Sequence, residues 1–443
     1  MNKEQAIASY QDQFTAFEKT LNGEAGGSFH QLRRDALQRF AAQGFPTMRD
    51  EDWRYTNLNA LTGTAFVAAV RPEANASLRI EAEAHCVKVP RAVTLLFVNG
   101  QFMPELSDLA LIPTGMEVRD VSDVLKEDKI FSDGSSTDPS LRSNNPFTAL
   151  NTAFTEQGVM VTVRRGVRIE QPLHLQFFSG DTTLPFAAHP RIIVQVEDNA
   201  QCVIVEQYAA APGAVYFTNV VADIRVGENA ILHHIKIQEE STAAFHVASA
   251  YVTVARTGVY ENHSIGLGAA LLRNNIHSAL NGEGAHCTLN GLYMPVGTQH
   301  MDHFTVIDHA VPHCTSHELY KGVLTDESRG VFTGKIIVRQ DAQKTDAKQS
   351  NNNLLLSENA QIDTRPQLEI YADDVKCTHG ATVGRMNDDQ LFYLVSRGID
   401  RVQAGNILSY AFAGDIVSRI PVAALREELD GHIHRRLEDS WNK

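Results

Sequence analysis

Apolar residues in the first 45 positions recur every three or four places. Ala6, Tyr10, Phe14, Phe17 and Leu21 form one stripe; Leu32, Ala36, Leu37 and Phe40 form a second, before Gly44 and Pro46 stop it. Gly23, Gly26 and Gly27 separate the runs, so the pattern predicts an amphipathic helical hairpin that must cover something else. From about Leu95 the period falls to two. Leu95-Leu96-Phe97-Val98, Asn99-Gly100 and Gln101-Phe102-Met103 read as a hairpin, because Asn-Gly readily adopts the positive φ angles of a type I′ turn. Residues 115–158 are mixed, with polar loops over 132–143 and a helix near 147–155.

Beyond that point helical spacing almost disappears up to residue 398. Short strands are expected at 159–163, 173–178, 191–196, 202–207, 218–226, 231–237 and 247–254. Val220, Ala222, Ile224 and Val226 alternate with Asn219, Asp223 and Arg225, although Val221 breaks the polar set. The turns resemble one another: Glu197-Asp198-Asn199-Ala200, Gly227-Glu228-Asn229-Ala230, Gly282-Glu283-Gly284-Ala285 and Ser357-Glu358-Asn359-Ala360. Their recurrence suggests stacked β coils, but the intervals between them are too unequal for a strict repeat. Two folded sandwiches satisfy the same pattern. Past Gly398 helical spacing returns. Ile407, Leu408, Ala411, Phe412 and Ile416 share one face before Pro421, and Leu425, Leu429, Ile433 and Leu437 line another. Such a tail either closes the open end of a β stack or offers a groove to a partner. The chain therefore divides into a helical region (1–94), a mixed connection (95–158), a β core (159–398) and a helical end (399–443).

Length and charge narrow the classes. At 443 residues the chain exceeds a single-core domain, and 43% apolar with 21% charged residues is ordinary for a soluble protein. The net charge, 39 − 53 = −14, argues against a nucleic-acid partner, since phosphate binding needs a basic face. No apolar run approaches the roughly 20 residues that span a bilayer. Met-Asn-Lys-Glu-Gln lacks a signal-peptide core, so a cytoplasmic location is expected. Cys86, Cys202, Cys287, Cys314 and Cys377 are few and scattered, which fits reduced thiols. Without a CxxC, neither a zinc ribbon nor a self-contained ferredoxin cluster can be drawn.

Two groups of residues carry candidate chemistry. His300, His303, His309, His313 and His317 fall in one short stretch, with Asp302 and Cys314 among them. Imidazole and thiolate suit zinc and similar ions. His313 and Cys314 are adjacent, however, and point to opposite faces of a strand, so structural or surface roles are expected. The stretch 367–399, QLEIYADDVKCTHGATVGRMNDDQLFYLVSRGI, is richer. Short strands are expected at 368–371, 375–377 and 381–383, broken at Gly380 and Gly384. Cys377 and His379, two apart on an extended segment, point the same way, and Asp373 or Asp374 is placed to orient the imidazole. Two ligands do not close a metal site. Another residue, another chain or a solvent position must complete it. Asn351, Asn352 and Asn353 suit a hydrogen-bonded ladder along a β stack. G-x-x-x-x-G-K-[ST], G-x-S-x-G and H-E-x-x-H are all absent, and Ser264-Ile265-Gly266-Leu267-Gly268 lacks a βαβ context.

The 367–399 stretch also resembles the SufB/SufD family of the SUF iron–sulfur cluster assembly machinery, on its SufD side. The likeness extends through Tyr320-Lys321-Gly322-Val323-Leu324, Gly330-Val331-Phe332, Ala342-Gln343-Lys344-Thr345-Asp346 and Asn351-Asn352-Asn353-Leu354-Leu355-Leu356, with Asp52-Trp53-Arg54-Tyr55-Thr56 as an N-terminal signature. SufB-like proteins carry a sulfur-accepting cysteine where residues 354–366 here read LLLSENAQIDTRP. The resemblance implies a β-helix core flanked by helical segments. It implies a non-enzymatic scaffold that pairs with a SufB-like paralogue and docks a SufC-like ATPase through Ile407, Leu408 and Phe412. His379, with Cys377 beside it, would sit at the paralogue interface, where His379 shares a metal ligand role with the partner chain. No cofactor is expected to stay on the isolated chain; iron or an iron–sulfur cluster would pass transiently through the complex. A homodimer of the isolated chain is compatible with the same picture. The alternative is a stand-alone His-rich metal-binding β protein or metalloenzyme built on the 300–317 histidines.

Overall fold

A computed structural model describes residues 2–21, 28–125, 144–180 and 182–441. The glycines at 23, 26 and 27 and the polar loops of 132–143 lie outside the described residues.

Long parallel strands alternate between two sheets, so the chain winds as a β-solenoid of about eight turns. In the first sheet Gly158–Val163, Arg191–Val196, Tyr216–Val226, Phe245–Val254, Leu271–Leu280, His300–His309, Arg329–Val338 and Gln361–Ile370 lie side by side in that order. In the second, Val93–Val98, Leu173–Ser179, Gln201–Ala210, Ile231–Glu239, Val259–Gly266, His286–Tyr293, Thr315–Leu324, Asp346–Leu355 and Lys376–Arg385 do the same. The Asn99-Gly100 hairpin is present at the start of the second sheet, with positive φ at both residues.

The register explains the irregular repeat. Phe245 pairs with Leu271, whereas Arg329 pairs with Gln361, so one coil is several residues longer than the other. The turns at 197–200, 227–230 and 282–285 occupy one corner of the solenoid, and Ala255-Arg256-Thr257-Gly258 fills the gap between the last two. The 357–360 turn belongs to the opposite edge, immediately before Gln361–Ile370. At the shared corner Asn199, Asn229, Thr257, Gly284, His313 and Lys344 all take the left-handed conformation. Their amides tie successive coils: Asn199 N donates to Glu228 O at 2.7 Å, Asn229 N to Arg256 O at 3.0 Å and His313 N to Gln343 O at 2.9 Å. Asn and Gly enter this conformation cheaply; Thr257, His313 and Lys344 are held there by the neighbouring coils.

Both helical regions lie against the outside of the stack. The hairpin of helices Lys3–Glu18 and Ser28–Gln43, with helix Pro146–Phe154, covers the first sheet around Phe217, Phe245 and Leu271. Trp53 is pinned by the Arg273 guanidinium, 4.4 Å from its ring, and Arg273 in turn pairs with Asp302. The tail helices Arg401–Val417 and Ala423–Trp441 run along the outer face of the second sheet. There Ala413, Ile416, Val417, Leu425, Leu429, Ile433 and Leu437 meet Val205, Ile235, Ile237, Ile265 and Leu292. Each such fully buried Leu or Ile contributes about 1.5–3 kcal/mol. The tail therefore does not close the open end of the stack. Its first helix buries Ala404, Gly405, Ser409, Ala413, Ile416 and Val417, so of the stripe expected through Ile407, Leu408, Ala411, Phe412 and Ile416 only Ile416 is fully buried, with Phe412 packing partly against the same cluster. Strand-face side chains outside the solenoid supply an apolar surface parallel to its axis, and the helix rotates to meet it.

Candidate functional site

The solenoid ends at an open edge. In the second sheet the terminal strand Lys376–Arg385 pairs with Asp346–Leu355 on one side and with no described strand on the other. It is continuous, where two short strands broken at Gly380 were expected; a Cβ added at Gly380 or Gly384 would meet nothing within 4 Å. These glycines mark open surface. Lys376 N donates to Thr345 O at 2.8 Å, toward the stack. By alternation the amides of Cys377, His379, Ala381 and Val383 face outward, with no partner strand among the described residues. Next to this edge Tyr371 is 62% exposed and Phe392 73%, with Ile370, Val383 and Tyr393 also exposed. Unpaired strand amides beside apolar side chains form a surface that pairs readily with another chain.

His379 lies on this strand, exposed, in register with Gln349. Neither expected aspartate orients it. Asp374 sits in the preceding corner, where its carboxylate pairs with Lys344 and its carbonyl accepts from Lys344 N at 2.7 Å. His379 has no hydrogen-bond or ion-pair partner among the described residues. Cys377 shares its face but is half-buried against the cluster of Ile336, Ala347 and Ala372. Burial raises its thiol pKa, which disfavours the reactive thiolate.

The structure disperses the 300–317 histidines. His303 and His309 point into the solenoid, where burial lowers both to about 4, so they are neutral at physiological pH. His300 faces outward from the first sheet, with Nε2 2.9 Å from the Thr56 hydroxyl. His313 occupies a corner, and His317 lies on the outer face of the second sheet, its ring 5.8 Å from that of His286. Cys314 is buried, with Sγ 3.3 Å from Gly282 O. Among the described residues no three His, Cys, Asp or Glu side chains gather to hold a metal ion. Adjacent positions on a strand face opposite ways, so sequence proximity separates these ligands instead of collecting them.

A polar column inside the solenoid is a feature that sequence reasoning missed. Glu206 accepts from Lys236 Nζ at 2.9 Å and lies 2.8 Å from His234 Nε2, all three buried. Burial opposes ionisation of Glu206, but Lys236 and His234 outweigh it and hold its carboxyl below the usual range. Nearer the open end, Gln349 Nε2 donates to Glu318 Oε2 at 2.7 Å. Asn353 Nδ2 donates to Asn351 Oδ1 at 2.7 Å within one strand, and the bonds that run along the stack go to other residues, from Asn351 Nδ2 to Tyr320 O and from Asn353 Nδ2 to Thr382 O, so among the described residues no asparagine-to-asparagine ladder forms along it; Asn352 faces outward to the Thr382 hydroxyl at 3.0 Å. The signal was available: Cys202, Ile204, Glu206 and Tyr208 alternate as one inward row. Placing a glutamate inward required knowing which face was inside.

Residues 177–412 match the family model described as SUF system FeS cluster assembly, SufBD core domain, and residues 4–175 match that of the SufBD protein N-terminal region. The chain belongs to the SufBD family. It is 35% identical to the iron–sulfur cluster assembly protein SufD of Escherichia coli (strain K12), over 90% of this chain and 91% of that protein. It is 34% identical to an iron–sulfur cluster assembly SufBD family protein of Synechocystis, over 90% and 88%. It is also 27% identical to the chloroplastic protein ABCI7 of Arabidopsis thaliana, over 97% and 92%. The SufBD core match spans the solenoid from its second-sheet strand at 173–179 through the open edge and into the tail. The family's part in iron–sulfur cluster assembly therefore attaches to the fold that presents His379. No helix among the described residues is long and apolar enough to cross a membrane.

Proposed function

We propose that this chain is a non-enzymatic scaffold subunit that pairs through its open solenoid edge with a SufB-like paralogue, in the cytoplasm. The observation that carries this reading is the terminal strand, which presents an unpartnered imidazole on an unpaired edge. Strand addition would satisfy the outward amides of Cys377, His379, Ala381 and Val383 while bringing a second chain's ligands to His379. Iron or a nascent cluster is the cargo of such a site, and a borderline imidazole ligand suits it. In the absence of the paralogue the same edge supports a homodimer. The tail offers the docking place for a SufC-like ATPase. Ile407 is exposed there, with Phe392, Tyr393 and Val395 on the preceding helix. Leu408 and Phe412 are only half-buried, although Phe412 already packs on Lys321.

His379→Ala tests the reading when complex formation and cluster maturation are scored separately. The complex should assemble and maturation should fail. Full maturation by the variant would reduce His379 to a surface residue. Cys377→Ala should show the smaller defect, since its thiol packs into the strand.

A further inference from the structure

On the lumen side of three neighbouring strands, Glu318, Gln349 and His379 stand in one row. Glu318 is in register with Gln349, and Gln349 with His379. The first link is made: the Gln349 amide nitrogen donates to Glu318 at 2.7 Å, with both side chains buried. That bond turns the Gln349 side-chain oxygen away from Glu318, and the oxygen is buried without a partner among the described residues. The place of this amide is built. Gly334 faces it from the opposite sheet, and a Cβ there would lie 2.3 Å from Gln349 Nε2. A buried carbonyl oxygen left unpaired is destabilising, and the next side chain in its row is an imidazole able to donate.

We propose that Gln349 is the positioning residue of His379: its side-chain oxygen accepts the proton of one ring nitrogen, and Glu318 fixes the amide orientation that makes this possible. Because ionised Glu318 only accepts, it admits the NH2 end of Gln349 and leaves the oxygen for His379. The imidazole is thereby held in one tautomer, with its other nitrogen directed to the open edge. This assignment rests on the role given to His379 above; in the isolated chain the Gln349 oxygen and the His379 ring stand in register, each without a partner among the described residues, and the bond between them is the inference.

The test is nitrogen-15 NMR of the ring nitrogens of His379 in the full-length chain at alkaline pH, assigned by His379→Gln. Wild type should show a single neutral tautomer. Gln349→Leu should convert it to a mixture. The double variant Glu318→Gln with Gln349→Glu, which exchanges amide and carboxylate, should restore the single tautomer. This last result separates positioning from folding, since a merely damaged core would not be repaired by the exchange. A mixture in wild type, or a tautomer indifferent to Gln349→Leu, would overturn the proposal. In the reconstituted complex, Gln349→Leu should slow maturation by roughly 10–100-fold, the usual cost of removing a residue that orients a metal ligand. Maturation intact in His379→Ala would instead remove the functional reading while leaving the tautomer result standing.

Discussion

Replacing Glu318 by Gln should stabilise the protein progressively as pH rises. Burial pushes this carboxyl up from 4.5 to about 7, opposed by the Gln349 amide that donates to it. A group whose folded pKa is raised takes up a proton on folding between the two values. Stability is therefore lost as pH climbs through that window and recovered as it falls. At about 1.4 kcal/mol for each pH unit between the two values, the loss approaches about 3.5 kcal/mol, of which about 2.5 kcal/mol falls between about pH 5 and pH 8. The Glu318→Gln side chain keeps an oxygen for Gln349 and cannot ionise, so this dependence should vanish in the variant. The assay is urea unfolding of both proteins at a series of pH values across that range, comparing the change in free energy with pH instead of its absolute value. The difference between variant and wild type should grow in the variant's favour by about 2.5 kcal/mol across the range. Parallel profiles would show that Glu318 is solvated within the lumen and that burial does not govern its ionisation.

Lys236→Met should cost about 3–5 kcal/mol, because it strips the buried Glu206 of its cation, and the further change Glu206→Gln should recover most of the loss in the same unfolding assay. Arg273→Leu leaves Asp302 buried without its ion pair and removes the cation from Trp53; residues before Val93 should then be released by limited proteolysis at protease levels that spare wild type, and equal resistance would show that Arg273 does not pin Trp53 to the first sheet. Ala381→Pro removes an outward amide without touching the ladder to Asp346–Leu355, so the chain should stay folded by circular dichroism and lose co-purification with a SufB-like partner. Undiminished co-purification would place the interface elsewhere.

Period and turn chemistry are local properties, and whatever depends on them alone is legible in the order of residues. Three-to-four spacing marks the helices of 3–18, 28–43 and the tail, and alternation with Asn-Gly marks the hairpin at 97–102. Alternation also puts Cys377 and His379 on one face. The family signature around His379 is legible for the same reason, since it is contiguous in the chain. Tertiary contacts settle the rest. Coils of unequal length keep their register through hydrogen bonds between neighbours, so the repeat exists in space while the sequence period drifts. Whether Glu206 or Glu318 points inward depends on which face of each strand the closing coil encloses. The apolar stripe of the tail is visible in the sequence, but its target is not: the outer face of the second sheet assembles from strands a full coil apart in the chain, such as Gln201–Ala210 and Ile231–Glu239. The clustered histidines fail as a site for the converse reason. Neighbours in sequence alternate across a strand, and only strands stacked by the solenoid bring Glu318, Gln349 and His379 into one row.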